Sequence, residues 1–206
     1  GIVENRGFEV ELTHQKTLGN HSYFIRGNYS YSKNNIIECL EPDMQGREWQ
    51  SREGTSIGEK YGLIALGLFK DEEDIAKSPV QTFGPVQPGD IKYKDMNNDG
   101  KIDSMDEAYL GKSTVPTSMF GFSFGYSFKN FDVSVLFQGA LGGVIFMEGE
   151  TVWPFSKYAG VLADVKDNHF SAENPDPNAE WPRMVSNVNN NNYISSSFWM
   201  RSTDYI

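Results

Sequence analysis

Cysteine is almost absent from this chain of 206 residues, and so are long apolar runs. The single thiol, Cys39, cannot form an internal disulfide, so cysteine usage does not settle the cellular compartment. It lies in the stretch IIECLEPD with no histidine nearby in sequence, which argues against a thiol enzyme. No run approaches the roughly 20 apolar residues of a membrane helix, and the N-terminal GIVENRGFEV lacks the basic-then-apolar order of a signal peptide.

Basic residues are also scarce. Lys and Arg number 18 against 28 Asp and Glu, and the net charge is -10. Contacts to phosphate backbones need Lys and Arg, so no nucleic-acid partner is predicted. The spacing of His14, His21 and His169 along the chain does not match that of metal ligands. We find no nucleophile with a base, no paired catalytic carboxylates and no phosphate-cradling glycine loop, so the sequence predicts that the chain is not an enzyme.

Aromatic residues, in contrast, are abundant and follow an alternating pattern. The chain has 14 Phe, 10 Tyr and 4 Trp, although its mean hydropathy is -0.50. Apolar and polar residues alternate with period two in four stretches: 7–17, 21–32, 119–129 and 131–139. In the third, five aromatic rings from Phe120 to Phe128 alternate with Gly, Ser and Lys. Such alternation indicates strands with one apolar and one polar face.

Two all-β architectures produce this pattern, and they differ in which face meets water. In a membrane barrel the apolar face meets lipid and the polar face lines a wet lumen. A soluble sandwich would bury the apolar face, and its core would mix Val, Leu and Ile to fill volume. Consecutive rings separated by Gly and Ser favour the barrel. We predict an all-β fold of antiparallel up-and-down strands, a section of a transmembrane β-barrel with long external loops.

The lengths of the connections support this prediction independently. Tight turns join the first pair of strands at 17–20 and the second pair at 129–130. The long connections are 34–118 and 147–194. Because successive strands run in opposite directions, both long connections fall at the opposite end of the strands from the two tight turns. Outer-membrane barrels have short periplasmic turns and long external loops. We therefore predict that 1–206 is one barrel section with 34–118 and 147–194 outside, and that 196–206 begins a further strand.

A short acidic segment, DMNNDGKIDSMD at 95–106, lies within the first long connection. Its spacing matches an EF-hand type of calcium loop, with Gly100 at the sharp turn and Ile102 as the apolar anchor. The predicted ligands, with Lys101 acting through its backbone carbonyl, are Asp95, Asn97, Asp99, Lys101, Asp103 and Asp106. Asp, Asn and Gly are also ordinary turn formers. The number of matched positions favours Ca²⁺, which would stiffen an external loop.

Five segments, in this order, resemble one family: 5–12, 88–103, 120–143, 173–184 and 196–206. Together they resemble the C-terminal barrel part of SusC/RagA-type TonB-dependent outer-membrane receptors. The acidic loop matches that family's pattern position by position, with Asn98 a minor variation. The resemblance implies a Gram-negative outer-membrane location, contact with lipid, and import of glycan or peptide fragments. It also implies a SusD-like surface lipoprotein as partner, and TonB acting through receptor parts outside this chain.

Tryptophans in the predicted external loops are candidate substrate contacts, because an aromatic face suits the C–H face of a sugar ring. These are Trp49, Trp153 and Trp181; Trp199, near a strand start, is instead expected to anchor the membrane interface. Packing inside the protein is nevertheless the favoured role for each of the four. From another class of protein, a soluble secreted β-sandwich that binds carbohydrate and is stabilised by Ca²⁺ remains the alternative function.

Overall fold

The computed structural model describes residues 1–150, 152–156, 159–186 and 189–206. The strands, in chain order, are β1 Ile2–Leu18, β2 His21–Glu38, β3 Glu59–Gly62, β4 Ala65–Leu68, β5 Val80–Gln81, β6 Ile91–Tyr93, β7 Lys101–Ile102, β8 Ala108–Ser113, β9 Ser118–Phe128, β10 Phe131–Leu141, β11 Val144–Phe146 and β12 Met200–Ser202. The helices are α1 Glu72–Ala76 and α2 Ala163–Asn168, with 3-10 turns at Glu48–Gln50, Ser104–Asp106 and Ser197–Trp199. None of the helices in this described part of the chain has the length and apolar character needed to cross a bilayer.

The four predicted strands form one antiparallel sheet in the order β1-β2-β9-β10. The two tight turns lie side by side at one end of this sheet, where the Lys129 amide donates to the Asn20 carbonyl at 3.3 Å. Gly19 and Lys129 adopt positive φ angles of 62° and 55°, as two-residue hairpin turns require. Both long connections therefore leave the sheet at its opposite end, as the sequence predicts.

The register of the sheet places the predicted apolar positions on a single face. Ile25 pairs with Phe124, and Phe124 pairs with Val135 on the next strand. We call this the ring face; it carries Phe8, Val10, Leu12, Tyr23, Ile25, Tyr29, Phe120, Phe122, Phe124, Tyr126, Val133, Val135 and Phe137. Phe122 is 46% exposed and Phe137 54% exposed. The ring face is therefore not covered by the rest of the described chain.

The hydrophobic core lies in the connections and not under the sheet. The described residues of 39–117 and 142–202 pack together into what we call the loop body. Its buried cluster consists of Leu63, Leu68, Ile91, Tyr93, Ile102, Val165, Phe170, Trp181 and Trp199. Among the described residues, this cluster includes no side chain of the four-stranded sheet. A soluble sandwich would need Phe120, Phe122 and Phe124 in its core, so this architecture does not support the sandwich alternative.

The segment predicted to begin a further strand divides its residues between the loop body and the sheet edge. Its first residues form the 3-10 turn Ser197–Trp199, and β12 then pairs with β11. Only beyond β12 does Tyr205 bridge Ala140 of β10 in antiparallel fashion. Trp199 is fully buried, which agrees with the packing role favoured for the tryptophans and contradicts its alternative role as a membrane-interface anchor. Its indole N–H donates to the Asn192 carbonyl at 3.0 Å, which fixes it inside the loop body.

Candidate functional site

The acidic loop coils so that its first side chains turn back onto the backbone. The Asp95 carboxylate accepts the amides of Asn98 and Gly100, the latter at 2.9 Å. Asn97 accepts the Asp99 amide at 3.0 Å, and Asp99 accepts the Lys101 amide at 2.8 Å. Gly100 has a φ of 82°, a conformation that most side chains disfavour. The side chains at positions 1, 3 and 5 of the motif thus line the inside of one turn.

The second half of the acidic loop is held to the loop body. Ile102 is fully buried in the core cluster, as the apolar anchor position predicts. Asp103 caps the following 3-10 turn by accepting the Met105 amide at 2.7 Å. The predicted closing ligand Asp106 is fully buried, and its two oxygens accept the amides of Met96 and Asp103 at 2.8 and 2.9 Å. Asp106 therefore joins the two ends of the loop, and each oxygen retains a second lone pair.

The oxygen ligands that this loop offers are of the type that a hard cation binds. They are carboxylate oxygens, one amide oxygen and one backbone carbonyl, which is the set that Ca²⁺ prefers. In the structure the four carboxylates each accept a backbone N–H group, and no three of them bring ligand oxygens within 4.8 Å of one another. In the described part of the chain, three candidate ligand groups within 4.8 Å of one another occur only at Cys39, Glu41 and Glu53. There, burial and the neighbouring carboxylates raise the pKa of the Cys39 thiol, which disfavours the thiolate.

The three candidate tryptophans occupy different environments. Trp49 is half-buried beside the acidic loop, and its indole N–H donates to the Met105 carbonyl at 2.9 Å. Trp153 is half-buried and stacks on Tyr193. Trp181 is 3% exposed, and its indole N–H donates to Asp164 at 2.8 Å. Trp181 thus has no free face for a sugar ring. It packs in the core of the loop body and is not a candidate substrate contact.

A buried polar network that was not anticipated from the sequence joins the two long connections. At its centre Asp90 is fully buried and accepts Arg183 Nε at 2.7 Å, together with the side-chain amides of Asn189 and Asn192 at 2.9 Å. Asn192 also accepts the amide of Ile91 at 2.9 Å. The asparagine-rich run at 189–192 has a composition that does not suit regular structure. Its one usable signal was composition, because a side-chain amide can both donate and accept in a buried position.

A second part of the network fixes the strand β6. Asn191 is fully buried; it accepts the Gln81 amide and donates to the Ile91 carbonyl at 3.0 Å. Gln81 in turn accepts the Tyr93 amide at 2.8 Å. The Tyr93 hydroxyl donates to the Asn191 carbonyl at 2.7 Å, and burial raises the pKa of this hydroxyl. The network therefore satisfies buried polar groups from both connections and holds the loop body in one arrangement.

These features define an antiparallel section of a transmembrane β-barrel: a four-stranded sheet with an uncovered apolar face, carrying a folded loop body at one end. No family model matches the chain. Three TonB-dependent receptors of Formosa agariphila are similar to it. Receptor P26 is 29% identical over 98% of this chain, P39 is 27% identical over 96%, and P3 is 26% identical over 70%. These matches span 21%, 23% and 16% of the respective receptors, so the chain corresponds to about a fifth of their length.

Solved structures show the same fold. The RagAB peptide importer in its open-open state superposes with a TM-score of 0.63 and 13% identity, covering 98% of this chain and 21% of that chain. The RagAB peptide transporter gives a TM-score of 0.59, also with 13% identity. The resemblance to SusC/RagA-type TonB-dependent receptors is therefore confirmed, and so is the predicted fold class of antiparallel barrel strands.

Proposed function

We propose that this chain is a wall section of a TonB-dependent outer-membrane importer, with the loop body on the external side. The ring face contacts lipid, and the opposite face, which carries Arg26, Asn28 and Ser123, borders the aqueous interior. Energy comes from TonB through receptor parts outside this chain. The relatives are named as receptors and importers, which supports binding and passage of a nutrient as the proposed activity.

One observation carries this proposal: the apolar residues of the sheet are uncovered, while the hydrophobic core lies in the loop body. Phe8 is 56% exposed and Val135 42% exposed, whereas Leu63 and Ile91 are fully buried. A protein surrounded by water on all sides would not leave so continuous an apolar face uncovered. A barrel wall leaves it in contact with acyl chains, which requires no partner side chains.

We further propose that Ca²⁺ binds the acidic loop at Asp95, Asn97, Asp99, Asp103, Asp106 and the Lys101 carbonyl. Support comes from the donor set and from the inward turn of its first side chains. Bound Ca²⁺ would stiffen the acidic loop, and the buried anchor Ile102 would couple the stiffened loop to the core of the loop body. The loop body would in turn offer a fixed surface to an oligosaccharide or peptide and to a SusD-like lipoprotein, with Trp49 and Trp153 as candidate substrate contacts.

Spin labelling in liposomes tests the membrane assignment directly. The receptor that contains this chain is made with Cys39→Ser, and single cysteines are introduced as Phe122→Cys or Ser123→Cys. These neighbours in β9 differ only in the face that they occupy. The label at 122 should collide strongly with oxygen and weakly with a water-soluble nickel chelate, and the label at 123 should show the reverse. Equal exposure to the chelate at both positions, or shielding of position 122 from both reagents, would contradict the proposal.

A further inference from the structure

The end of the ring face nearest the two tight turns carries polar side chains beside the aromatic ones. Lys16 in β1 pairs with Tyr23 in β2, and Tyr23 pairs with Tyr126 in β9, so these three side chains lie in one row across the sheet. We call this region the turn end; it carries His14, Lys16, His21, Tyr23, Tyr126 and Phe128, with Lys129 in the adjoining turn. Membrane barrels place aromatic girdles at the level of the lipid headgroups. Under the proposed function, the turn end therefore lies at the headgroups of the periplasmic leaflet.

A histidine and a tyrosine from neighbouring strands are hydrogen-bonded at the turn end. Nδ1 of His21 in β2 lies 2.6 Å from the hydroxyl of Tyr126 in β9. The His21 ring also stacks on Phe128, with ring centroids 4.3 Å apart. Nζ of Lys129 lies 5.2 Å from the centroid of the same Phe128 ring, in a cation–π contact. One aromatic ring thus holds the imidazole and the ammonium group close together.

A similar arrangement occurs again between β1 and β2. Nε2 of His14 lies 3.1 Å from the hydroxyl of Tyr23, and the two ring centroids are 5.6 Å apart. Lys16 is the residue that pairs with Tyr23, so a lysine lies beside this histidine–tyrosine pair as well. Both histidines and both lysines of the turn end are exposed, and neither lysine forms an ion pair with any residue that the structure describes. The turn end therefore presents two sets of one histidine, one tyrosine and one unpaired lysine.

Each set keeps hydrogen-bond donors available for an anion. A neutral imidazole has one donor and one acceptor nitrogen. If the tyrosine donates to the histidine, the second ring nitrogen of the histidine carries a free N–H; if the histidine donates, the tyrosine hydroxyl keeps its own proton. Either tautomer therefore leaves one donor beside the lysine ammonium group. The turn end has no carboxylate on this face, since Glu11 and Asp132 of the same strands alternate onto the opposite face.

A lipid phosphate is the anion that fits this position. Phosphate oxygens accept charge-assisted hydrogen bonds from lysine and from N–H groups. The acyl chains of the same lipid would lie against the adjoining apolar residues of the ring face, Ile25, Phe124 and Val135. An unpaired lysine favours a headgroup of net negative charge over a zwitterion, whose own ammonium group it would repel. We propose that each histidine–tyrosine pair, with its lysine, binds the phosphate of one anionic glycerophospholipid of the periplasmic leaflet.

The inference rests on the proposed membrane assignment and adds a lipid class and a site to it. The receptor that contains this chain is made with Cys39→Ser and Val133→Cys in a background free of other cysteines, and it is labelled with bimane at position 133. Val133 pairs with Tyr126 and is 41% exposed, so the label reports on the lipid beside the His21–Tyr126 pair. Vesicles of phosphatidylcholine receive increasing fractions of brominated phosphatidylglycerol or brominated phosphatidylcholine. Quenching should give an association constant about fivefold or more in favour of phosphatidylglycerol.

Three variants locate the preference. Lys129→Gln removes the charge but keeps a polar side chain, and it should lower the preference to about twofold or less. Tyr126→Phe leaves every charge in place and removes only the hydroxyl that bonds His21, and it should lower the preference about twofold. Lys33→Gln is the matched control, because Lys33 is an exposed lysine of β2 at the opposite end of the sheet. It should leave the preference unchanged.

The possible failures have different signatures. Equal quenching by the two brominated lipids would overturn the headgroup site while leaving the membrane assignment intact. A preference that Lys129→Gln lowers no more than Lys33→Gln does would also overturn it. A preference that survives in full in Tyr126→Phe would indicate general attraction to charge and would overturn the defined site. Absence of quenching by either brominated lipid would contradict the membrane assignment itself, and with it this inference.

Discussion

Asp90 and Arg183 form a two-point ion pair across the two long connections: Nε donates to Oδ1 at 2.7 Å and Nη2 to Oδ2 at 3.2 Å. The carboxylate side chain is wholly buried, whereas the arginine side chain retains 22% of its exposure. Asn189, Asn192 and the Gln87 amide complete the bonds to the same carboxylate. A buried charge with this many partners ties the two connections together far more firmly than a surface pair could.

Arg183→Met should destabilise the loop body strongly. The substitution keeps an apolar stem of similar length but leaves the buried Asp90 carboxylate without its cation, which costs on the order of 3 kcal/mol. Thermal unfolding can be followed by tryptophan fluorescence, since Trp181 and Trp199 lie in the core. Lys77→Met is the control, because its pair with Glu73 is exposed and should contribute less than about 1 kcal/mol. Equal effects of the two variants would argue against a structural role for the buried pair.

Gly89→Ala should also unfold the loop body, for a steric reason. Gly89 has a φ of 85°, and an added Cβ would lie 2.2 Å from Cδ1 of Phe170, a core residue. The unfavourable φ alone costs roughly 1–3 kcal/mol, and displacement of the Phe170 ring adds to it. Gly160→Ala is the matched control, with nothing within 4 Å of its added Cβ. A drop in the unfolding temperature is expected for the first variant only, and similar temperatures for both would contradict the packing described.

Calcium should bind the acidic loop and stabilise the loop body. At a hundredfold excess over its dissociation constant, a ligand that binds only the folded state adds about 2.7 kcal/mol. Asp99→Ala should abolish both the heat of Ca²⁺ binding measured by calorimetry and this stabilisation, because it removes a predicted ligand. Asp167→Ala, an exposed aspartate of α2, should leave both unchanged. Equal heats for the two variants would remove the calcium site from the proposal.

The ion pair between Asp74 and Lys92 predicts a small acid-dependent loss of stability. The hydrogen bond from Lys92, 2.7 Å long, lowers the pKa of the Asp74 carboxyl. A lowered folded-state pKa contributes stability above the ordinary aspartate value and loses it as pH falls through the folded value. Because the pair is partly exposed, the contribution should stay below about 1 kcal/mol. The free energies of unfolding of the parent and of Asp74→Asn should differ at neutral pH and converge under acid; a constant difference would argue against the linkage.

The sheet could be predicted from the sequence because the features that define its strands and turns involve residues close together in the chain. Alternation with period two defines each strand and its face. Two-residue turns then set the register of β1 with β2 and of β9 with β10. The predicted up-and-down order makes β2 and β9 antiparallel neighbours, and the structure pairs them although the paired residues lie about 90 positions apart, such as Tyr29 and Phe120. The acidic loop was predictable for the same reason, since the turn at Gly100 and the buried anchor Ile102 lie within one motif.

The interior of the loop body could not be predicted, because its contacts are distant in sequence and chemically unspecific. Asn191 and Gln81 are 110 residues apart, and no local pattern marks them as partners. An asparagine-rich run has the composition of a surface loop, and only the surrounding backbone makes its members buried donors and acceptors. Trp181 and Trp199 show the same limit: an aromatic residue in a long connection can face a ligand or fill a core, and tertiary packing decides which.

The long sequence separation within the buried network has a consequence for the order of events during biosynthesis. Asp90 gains its partners Asn189 and Asn192 only after about 100 further residues have been added, including the whole of the second hairpin. Until then the first connection carries a carboxylate and an apolar strand, β6, that nothing later in the chain has yet enclosed. Assembly of the external portion should therefore be a late, cooperative step that follows pairing of the hairpins, because closing so large a loop is slow.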